Sequence, residues 1–287
     1  MKTIVISAAD AGFFYLLKGL IESLLTTHSN DCPQIGVLDL GLTSEQLSWL
    51  KQKKVISVTP EWDFEFSGRD TRDRRFMAQT ARPFLGKYFP GYEILIWMDA
   101  DTWIQERDAL GWLQHIAAKN HLAICQEMHH SYKRHYKNSE IFGKYAIFKD
   151  FFGSKAAETF GFTPSINVGV FALANNAPHW QIWRQIMSQA LKVESSFFAE
   201  QTSLDYAIYK YNLPVTWLPA QCNWLCHQAL PKFCPRQKRL VEPGPPYAPL
   251  WIIHLTMATK DYELEIETTQ GTKITTKLDF QNLKHLL

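Results

Sequence analysis

The chain lacks long apolar segments and is poor in cysteine. No apolar run approaches the roughly 20 residues that a membrane-spanning helix needs, and residues 1–7 lead directly into a strand pattern, without the apolar core and cleavage site of a signal peptide. The 287 residues include only five cysteines, an odd number that does not suggest a disulfide framework. We therefore expect a cytoplasmic protein with reduced thiols and leave peripheral contact with a membrane open.

An excess of one charge is also missing. Lysine and arginine number 30 against 28 acidic residues, and a formal net charge of +2 is too small for a dedicated nucleic-acid-binding protein. Glycine-rich phosphate loops are absent too, since neither Gly-x-Gly-x-x-Gly after the first strand nor Gly-Lys-Ser/Thr occurs. If the chain binds phosphate, a metal ion and side chains must neutralise its charge.

One cluster of sulfur and nitrogen ligands could indicate structural zinc. Cys222, Cys226, His227 and Cys234 fall within thirteen residues. Their spacing matches no common zinc finger, and two prolines interrupt it, so free thiols are the preferred interpretation.

The hydrophobic pattern predicts alternating strands and helices. This order favours a mostly parallel sheet covered by helices. The predicted strands cover residues 3–8, 35–40, 55–58, 94–98, 121–126, 166–172 and 251–255, and the predicted helices cover 13–25, 77–88, 181–191, 201–210 and a segment capped by Thr43 or Ser44. Residues 231–249, with six prolines, are predicted to be a loop outside the core, and 263–278 a β-hairpin.

The most informative motif follows the apolar strand 94–98. There the chain reads Asp99-Ala100-Asp101 and then becomes apolar again. Burying a carboxylate without a partner is costly, and open α/β sheets bind ligands at the carboxyl ends of their strands. The motif therefore suggests a Mg²⁺ or Mn²⁺ site that bridges to phosphates, although a strand-end turn with solvated acids is the simpler alternative.

Further segments carry polar groups in apolar surroundings. Asn167 and Gly169 lie inside an apolar strand, where a buried amide needs partners and a glycine marks close backbone approach. Glu200 and Gln201 begin a helix, which could simply be a capped helix with acids at its positive end. His254 ends the last core strand, where it could be either a core histidine or a metal ligand.

Together these segments resemble the family 8 glycosyltransferases of the GT-A fold, which use nucleotide sugars. The similarity extends from residue 3 to about residue 260 and rests on the order of its blocks. The matching blocks are Thr80–Tyr88 with Arg82, Asp99-x-Asp101, Asn167-x-Gly169, Glu200-Gln201 and His254-x-x-Met257-x-x-Lys260.

The resemblance implies a Rossmann-like α/β/α sandwich with a mostly parallel central sheet. Residues 1–260 would form the GT-A domain, and residues 261–287 a small C-terminal β-hairpin and tail packed on it. It further implies a retaining hexosyltransferase that moves a hexose from a nucleotide sugar, most simply a UDP-sugar, to a glycan, glycolipid or protein hydroxyl.

The resemblance also assigns roles to residues. Asp99, Asp101 and His254 would bind Mn²⁺ or Mg²⁺, and Gln201 and Glu200 would lie at the reacting carbon. The expected donor-binding residues are Ala8, Asp10, Arg82, Asp99, Ala100, Asn167 and Lys260. Because Gln201 is a poor nucleophile, we favour attack by the acceptor on the face that the diphosphate leaves, with Glu200 as a covalent nucleophile the minority alternative.

Three departures from the family pattern bear on function. Met257 stands where the family has glycine, Glu200 replaces aspartate, and no confident match exists for the family's acidic residue between the Asp-x-Asp and Asn-x-Gly blocks. A non-catalytic nucleotide-sugar-binding protein and a sugar-nucleotide hydrolase therefore remain alternatives. Residues 129–137 interleave basic and aromatic side chains and could hold an anionic acceptor or, with 231–249, form a lid, although a solvated surface explains them equally well.

Overall fold

The computed structural model describes residues 1–133 and 138–287. Its strands and helices alternate along most of the chain. The strands are β1 (Thr3–Ala9), β2 (Gln34–Asp39), β3 (Ile56–Val58), β4 (Ile94–Met98), β5 (Thr102–Ile104), β6 (Leu122–Gln126), β7 (Ile166–Ala174), β8 (Val215–Leu218), β9 (Trp224–Leu225), β10 (Lys232–Cys234), β11 (Arg239–Val241), β12 (Ile252–His254), β13 (Leu264–Glu267) and β14 (Lys273–Thr276). The helices are α1 (Phe14–Thr27), α2 (Ser44–Gln52), α3 (Phe76–Ala81), α4 (Leu85–Tyr88), α5 (Asp108–Ala117), α6 (Asn138–Phe152), α7 (Ser154–Phe160), α8 (His179–Val193), α9 (Phe198–Tyr211) and α10 (Phe280–Leu283).

Seven strands form the central sheet, in the order β3-β2-β1-β4-β7-β6-β8. Strand β7 runs antiparallel to both of its neighbours, and the other neighbouring pairs are parallel. The predicted mostly parallel α/β architecture is confirmed, whereas the reversed direction of β7 was not predicted. All five residues of β4 are buried, as expected for a strand in the centre of such a sheet.

A second, three-stranded sheet has the order β5-β12-β9. Strand β12 pairs antiparallel with β5, which sets His254 opposite Thr102, and parallel with β9, which sets it opposite Leu225. Because β5 begins only three residues after Asp99, this pairing brings the end of β12 to the end of β4.

The C-terminal segment packs on a second hydrophobic cluster next to the main core. Strands β13 and β14 form the predicted antiparallel hairpin, with Ile266 opposite Ile274. The indole nitrogen of Trp103 donates to the carbonyl of Leu278 at 2.9 Å, and its ring lies 5.7 Å from that of Phe280. The division of the chain after residue 260 remains a prediction.

Two local predictions need correction. Residues 231–249 are not simply a loop outside the core, because β10 and β11 pair within them and the side chains of Leu240 and Val241 are fully buried. The predicted helix 77–88 is interrupted by a tight turn at Arg82–Phe84 that accommodates Pro83. Helices α5, α6 and α7 were not predicted.

One helix cap agrees with the prediction, and no described helix is of the membrane-spanning type. Thr43 caps α2 as predicted: its side chain accepts from the backbone of Gln46, whose side chain in turn accepts from the backbone of Thr43. Across residues 1–133 and 138–287, every helix is too short or too polar to traverse a bilayer.

Candidate active site at the end of strand β4

The Asp99–Asp101 turn is anchored by its backbone. The amide of Asp99 donates to the carbonyl of Gly169 on β7 at 2.8 Å, and the hydroxyl of Thr102 donates to the carbonyl of Asp99 at 2.7 Å. The backbone of this turn is therefore fixed at the end of β4 beside β7, and with it the positions from which both acidic side chains extend.

The two oxygens of the Asp99 carboxylate have different surroundings. Oδ1 accepts from Nη2 of Arg82 at 2.6 Å and from Nε1 of Trp97 at 2.8 Å. Oδ2 faces Nε2 of His254 at 3.8 Å. One oxygen is thus bound within the protein, and the other points towards the imidazole.

Asp101 has a similar arrangement. Its Oδ2 accepts from Nζ of Lys260 at 2.5 Å, and its Oδ1 lies 3.3 Å from Nε2 of His254. Burial opposes ionisation of this carboxyl, but the neighbouring His254 and Lys260 outweigh burial and hold the pKa of Asp101 well below its usual range. Asp101 is therefore a carboxylate at any physiological pH.

His254 presents its Nε2 atom to both carboxylates. Its ring is buried, and Nδ1 lies 2.9 Å from Oδ1 of Asn223, an oxygen that can only accept. Nδ1 consequently donates to Asn223, and Nε2 is the nitrogen directed at the two carboxylates, where it holds either a proton or a metal ion. Hydrogen bonding thus leaves Nε2 free to act as a ligand.

Three potential ligand atoms therefore converge on one point. The ligand atoms of Asp99, Asp101 and His254 lie within 4.8 Å of one another. Such a set requires positive charge among its members, either a proton or a metal ion. Two carboxylate oxygens and one imidazole nitrogen suit Mn²⁺ or Mg²⁺, so the residues fit the predicted metal.

Gly169 explains how His254 comes so close to β7. A Cβ atom at this position would lie 2.2 Å from Cε1 of His254 and 2.9 Å from Oδ1 of Asn167. The imidazole therefore packs directly on the backbone of Gly169, and the prediction that this glycine marks a close approach is confirmed.

Glu200 is buried behind the acidic turn rather than exposed at its surface. Both of its oxygens accept from Nη1 of Arg82 at 2.9 Å, and the guanidinium of Arg82 lies over the Trp97 ring, 4.4 Å from its centroid. Burial raises the pKa of Glu200 to about 8; the charge of Arg82 opposes this shift, and that of Asp99 adds to it. Glu200 therefore holds Arg82, which in turn holds Asp99.

Gln201 lies on the other side of the helix start, against β7. Its Oε1 accepts from the amide of Val168 at 3.5 Å, and the side chain is half-buried. This places Gln201 beside the Asn167–Gly169 segment; its predicted position at the reacting carbon stays a prediction.

Two polar residues of the site were missed from the sequence. Nδ2 of Asn167 donates to Oε1 of Glu127 at 3.0 Å, and Oδ1 of Asn167 accepts from Nδ2 of Asn223 at 2.9 Å. Glu127 directly follows β6, and Asn223 directly precedes β9. Their positions at strand ends were the only available signal.

A cavity of about 500 Å³ opens beside the acidic turn. Six of the seven predicted donor-binding residues line it, the exception being Asn167. These six are Ala8, Asp10, Arg82, Asp99, Ala100 and Lys260. Phe13, Arg75 and Phe197 also line the cavity and were not predicted. Its volume is in the range of small-molecule binding sites.

Other predicted clusters have different outcomes. All five cysteines are free, and Cys222, Cys226, His227 and Cys234 form no metal-ligand cluster in the part of the chain that the structure describes.

In the basic-aromatic segment 129–137, residues 134–137 lie outside the described residues. His129 contacts Oε1 of Glu242 at 3.3 Å, so this segment touches the 231–249 region as the lid hypothesis requires, but closure itself stays a prediction.

Comparison with known proteins gives structural matches only. No protein-family model and no curated protein sequence matches the chain. Solved structures match over most of its length. A galactosyltransferase, LgtC, in complex with donor and acceptor sugar analogues, superposes with a TM-score of 0.53 and 15% identity over 89% of this chain and 88% of LgtC. The chain has the GT-A glycosyltransferase fold.

Two further matches agree with this assignment. The glycosyltransferase GlyE of Streptococcus pneumoniae gives a TM-score of 0.52 and 16% identity over 91% of this chain and 56% of GlyE. Mouse xyloside xylosyltransferase 1 gives a TM-score of 0.51 and 13% identity over 88% of this chain and 96% of the xylosyltransferase. The resemblance inferred from short motifs thus holds for the GT-A fold, and at such identities the likeness extends to the fold alone.

Proposed function

We propose that this GT-A protein is a cation-dependent retaining glycosyltransferase that moves a hexose from a UDP-sugar to a hydroxyl of a glycan, glycolipid or protein. Glycosyltransferases with the same fold support glycosyl transfer in general. The observation that carries the proposal is the convergence of Asp99, Asp101 and His254 beside the 500 Å³ cavity. A simple sugar-binding site would not require three such atoms directed at one point.

In this proposal Asp99, Asp101 and His254 would hold Mn²⁺ or Mg²⁺. The ion would supply Lewis-acid stabilisation of the negative charge that grows on the leaving oxygen. Lys260 adds a fixed positive charge at the same place, which is strongest where water is excluded. Arg82 acts mainly by orienting Asp99, because Glu200 and Asp99 occupy both of its terminal nitrogens.

Donor recognition would use the cavity and the neighbouring segment of β7. Ala8 near the end of β1 and Asp10 just after it line the cavity and would read the edge of the nucleobase, and Ala100 would contact the donor as well. Asn167, which does not line the cavity, would contact the sugar where the sugar extends towards β7. Glu127, hydrogen-bonded to Asn167, would take the place of the acidic residue for which the sequence offered no confident match, and would bind a sugar hydroxyl.

The proposed retention of configuration rests on Gln201 and Glu200. A retaining hydrolase-type mechanism needs two carboxyl groups about 5 Å apart across the sugar, but both oxygens of Glu200 are engaged by Arg82 and its side chain is buried. This favours Gln201 as the neutral neighbour of the reacting carbon. The acceptor would then attack from the side on which the diphosphate leaves and transfer its proton to the departing oxygen.

A single assay separates this function from its two alternatives. The protein is incubated with UDP-glucose, UDP-galactose and further UDP-sugars in the presence of Mn²⁺, with and without a panel of acceptors. UDP release only with an acceptor supports the transferase, release without one supports a hydrolase, and binding without release supports a non-catalytic protein.

The metal requirement is tested by Asp101→Asn. We expect this variant to lose transfer and Mn²⁺-dependent UDP binding, because one of the two converging carboxylates becomes a neutral amide. Asp150→Asn, which alters an exposed acid on α6, is the control and should behave as the wild type. Full activity of the Asp101 variant in the presence of a chelator would remove the metal from the mechanism.

A further inference from the structure

Asn223 joins the imidazole of His254 to the amide of Asn167. It lies in the short turn Ala220–Asn223 before β9, the strand that pairs with β12, and only 1% of its surface is exposed. Its Oδ1 lies 2.9 Å from Nδ1 of His254, and its Nδ2 donates to Oδ1 of Asn167 at 2.9 Å. The same buried amide therefore touches a candidate metal ligand and a candidate sugar ligand.

The direction of each hydrogen bond in the series that links Asn167, Asn223 and His254 follows from the groups at its Asn167 end. At one end the backbone N–H of Gly169, which can only donate, donates to Oδ1 of Asn167 at 3.0 Å. On the opposite side of the same amide, Nδ2 of Asn167 meets Oε1 of the Glu127 carboxylate, which accepts. The Asn167 amide has therefore only one possible orientation.

The orientation of Asn167 determines that of the next two groups. Since Oδ1 of Asn167 is an acceptor, Asn223 must present its NH₂ group to it. Its carbonyl oxygen then faces His254 and can only accept, so Nδ1 of His254 must hold the ring proton. A sequence of local hydrogen bonds thus selects the tautomer that leaves Nε2 free towards Asp99 and Asp101.

We propose that Asn223 is a positioning residue that sets the tautomer of His254 for cation binding and couples cation binding to recognition of the donor sugar by Asn167. The inference rests on the proposed function. Outer partners of metal-bound histidines fix the ring and its tautomer, and their loss lowers metal affinity by about 10–100-fold. Here the outer partner also holds Asn167, the candidate sugar ligand, so binding of the cation and binding of the sugar would stabilise the same arrangement.

The first test needs no metal and no activity. Nitrogen NMR of the protein labelled at histidine, without added metal and at a pH at which the ring carries a single proton, should show that proton on Nδ1 of His254 in the wild type. Asn223→Ala should move the proton to Nε2 or give a mixture of tautomers. Asn223→Asp retains an oxygen acceptor for Nδ1 and should keep the wild-type tautomer, although it loses the NH₂ group that donates to Asn167. Asn175→Ala, which removes an amide bonded to the carbonyl of Tyr92 far from the site, is the control. An unchanged tautomer in Asn223→Ala would overturn the proposal.

The second test measures Mn²⁺ and nucleotide binding. Mn²⁺ affinity in the presence of UDP, followed by electron paramagnetic resonance, should fall about 10–100-fold in Asn223→Ala and recover in Asn223→Asp. A purely structural role would instead lower stability in both variants without this recovery. The same Mn²⁺ affinity in Asn223→Ala and wild type would contradict the positioning role.

The coupling is tested by comparing two nucleotides. With Mn²⁺ at saturation, the wild type should bind its preferred UDP-sugar, chosen by comparing UDP-glucose and UDP-galactose, more tightly than UDP. Asn223→Ala should lose much of this difference, and Asn175→Ala should keep it. An unchanged difference would refute the coupling. If the wild type binds neither Mn²⁺ nor UDP, the proposed function fails, whereas normal wild-type binding with an unaffected Asn223 variant refutes only the inference about Asn223.

Discussion

Among single residues, Gly169 offers the most direct test of the site geometry. Alanine there would place a carbon 2.2 Å from the His254 ring. We expect Gly169→Ala to displace the ring, to weaken Mn²⁺-dependent UDP binding at least about 10-fold, as loss of ligand orientation does, and to reduce the free energy of unfolding by about 1–3 kcal/mol. Calorimetric titration and urea unfolding measure the two effects.

Gly111 provides the matched control for this substitution. It lies within α5, and no atom would meet an added Cβ within 4 Å. Gly111→Ala should raise stability by about 0.5–1 kcal/mol and leave UDP binding unchanged. Wild-type binding by the Gly169 variant would show that the His254 ring does not need its present position.

Glu200 gives a prediction about pH. Its pKa is raised from 4.5 in the unfolded chain to about 8 by burial, so the folded protein binds an extra proton between these values. Stability from this group is therefore present at low pH and lost as the pH rises through about 8. We expect the free energy of unfolding to decrease between pH 5 and pH 8 in the wild type.

Glu200→Gln, which resembles the protonated acid, should flatten this decrease, and Glu263→Gln, which alters an exposed side chain, should not. An identical pH profile for the Glu200 variant and the wild type would contradict the raised pKa.

Residue by residue, the sequence predicted groups with unusual local surroundings and missed those whose role depends on distant partners. Asp99, Asp101 and His254 drew attention because they lie at the ends of apolar runs, and the resemblance then assigned them as metal ligands. Asn223 was missed, since its partners His254 and Asn167 are 31 and 56 residues away and its position before a short strand is a weak signal.

Among structural elements, the turn that carries Lys260 shows how backbone conformation bears on the site. Met257 begins the turn Met257–Lys260 with a positive φ of 56°, a conformation that costs a non-glycine residue about 1–2 kcal/mol. A glycine here, as in the family pattern that the sequence resembles, would avoid this cost. The Met257 side chain is 70% exposed and gains little from packing.

We expect Met257→Gly to raise the free energy of unfolding by about 0.5–1 kcal/mol, the strain relieved less the entropy of glycine. Lys238, in an exposed turn between β10 and β11, has a φ of 52°, and Lys238→Gly should stabilise similarly. Only the Met257 variant should also tighten Mn²⁺–UDP binding, because its backbone would become open to the diphosphate beside Lys260. Equal nucleotide affinities in both variants would show that this turn does not contact the donor.

Elements were predictable where the local pattern decides them. The alternating pattern of 263–278 and the cap at Thr43 fix a hairpin and a helix start without distant contacts. The direction of β7 and the pairing of β10 with β11 depend on which strands become neighbours. Prolines in 231–249 masked two short strands, each of which contributes a buried residue, Phe233 or Leu240, to the second cluster.

At the scale of the whole molecule, the candidate site joins the two hydrophobic clusters. Strand β12 contributes Ile252 to the main core and Ile253 to the second cluster, which also contains Trp103 and Phe280. His254, the next residue, faces Asp99 at the end of the main sheet. A cation bound between them would link both clusters through its ligands.

This position makes ligand binding a test of the whole fold. Because Mn²⁺ and UDP would bind only when β4, β5 and β12 are together, we expect them to stabilise the entire chain, by about 2.7 kcal/mol when the ligand is at 100 times its Kd. Scanning calorimetry should show one unfolding transition that moves to higher temperature with Mn²⁺ and UDP together. Asp101→Asn should unfold at an unchanged temperature when they are added, while Asp150→Asn should respond as the wild type does. A transition that splits, with only part of the heat shifted by the ligands, would mean that the two clusters unfold separately and that the site reports on one of them alone.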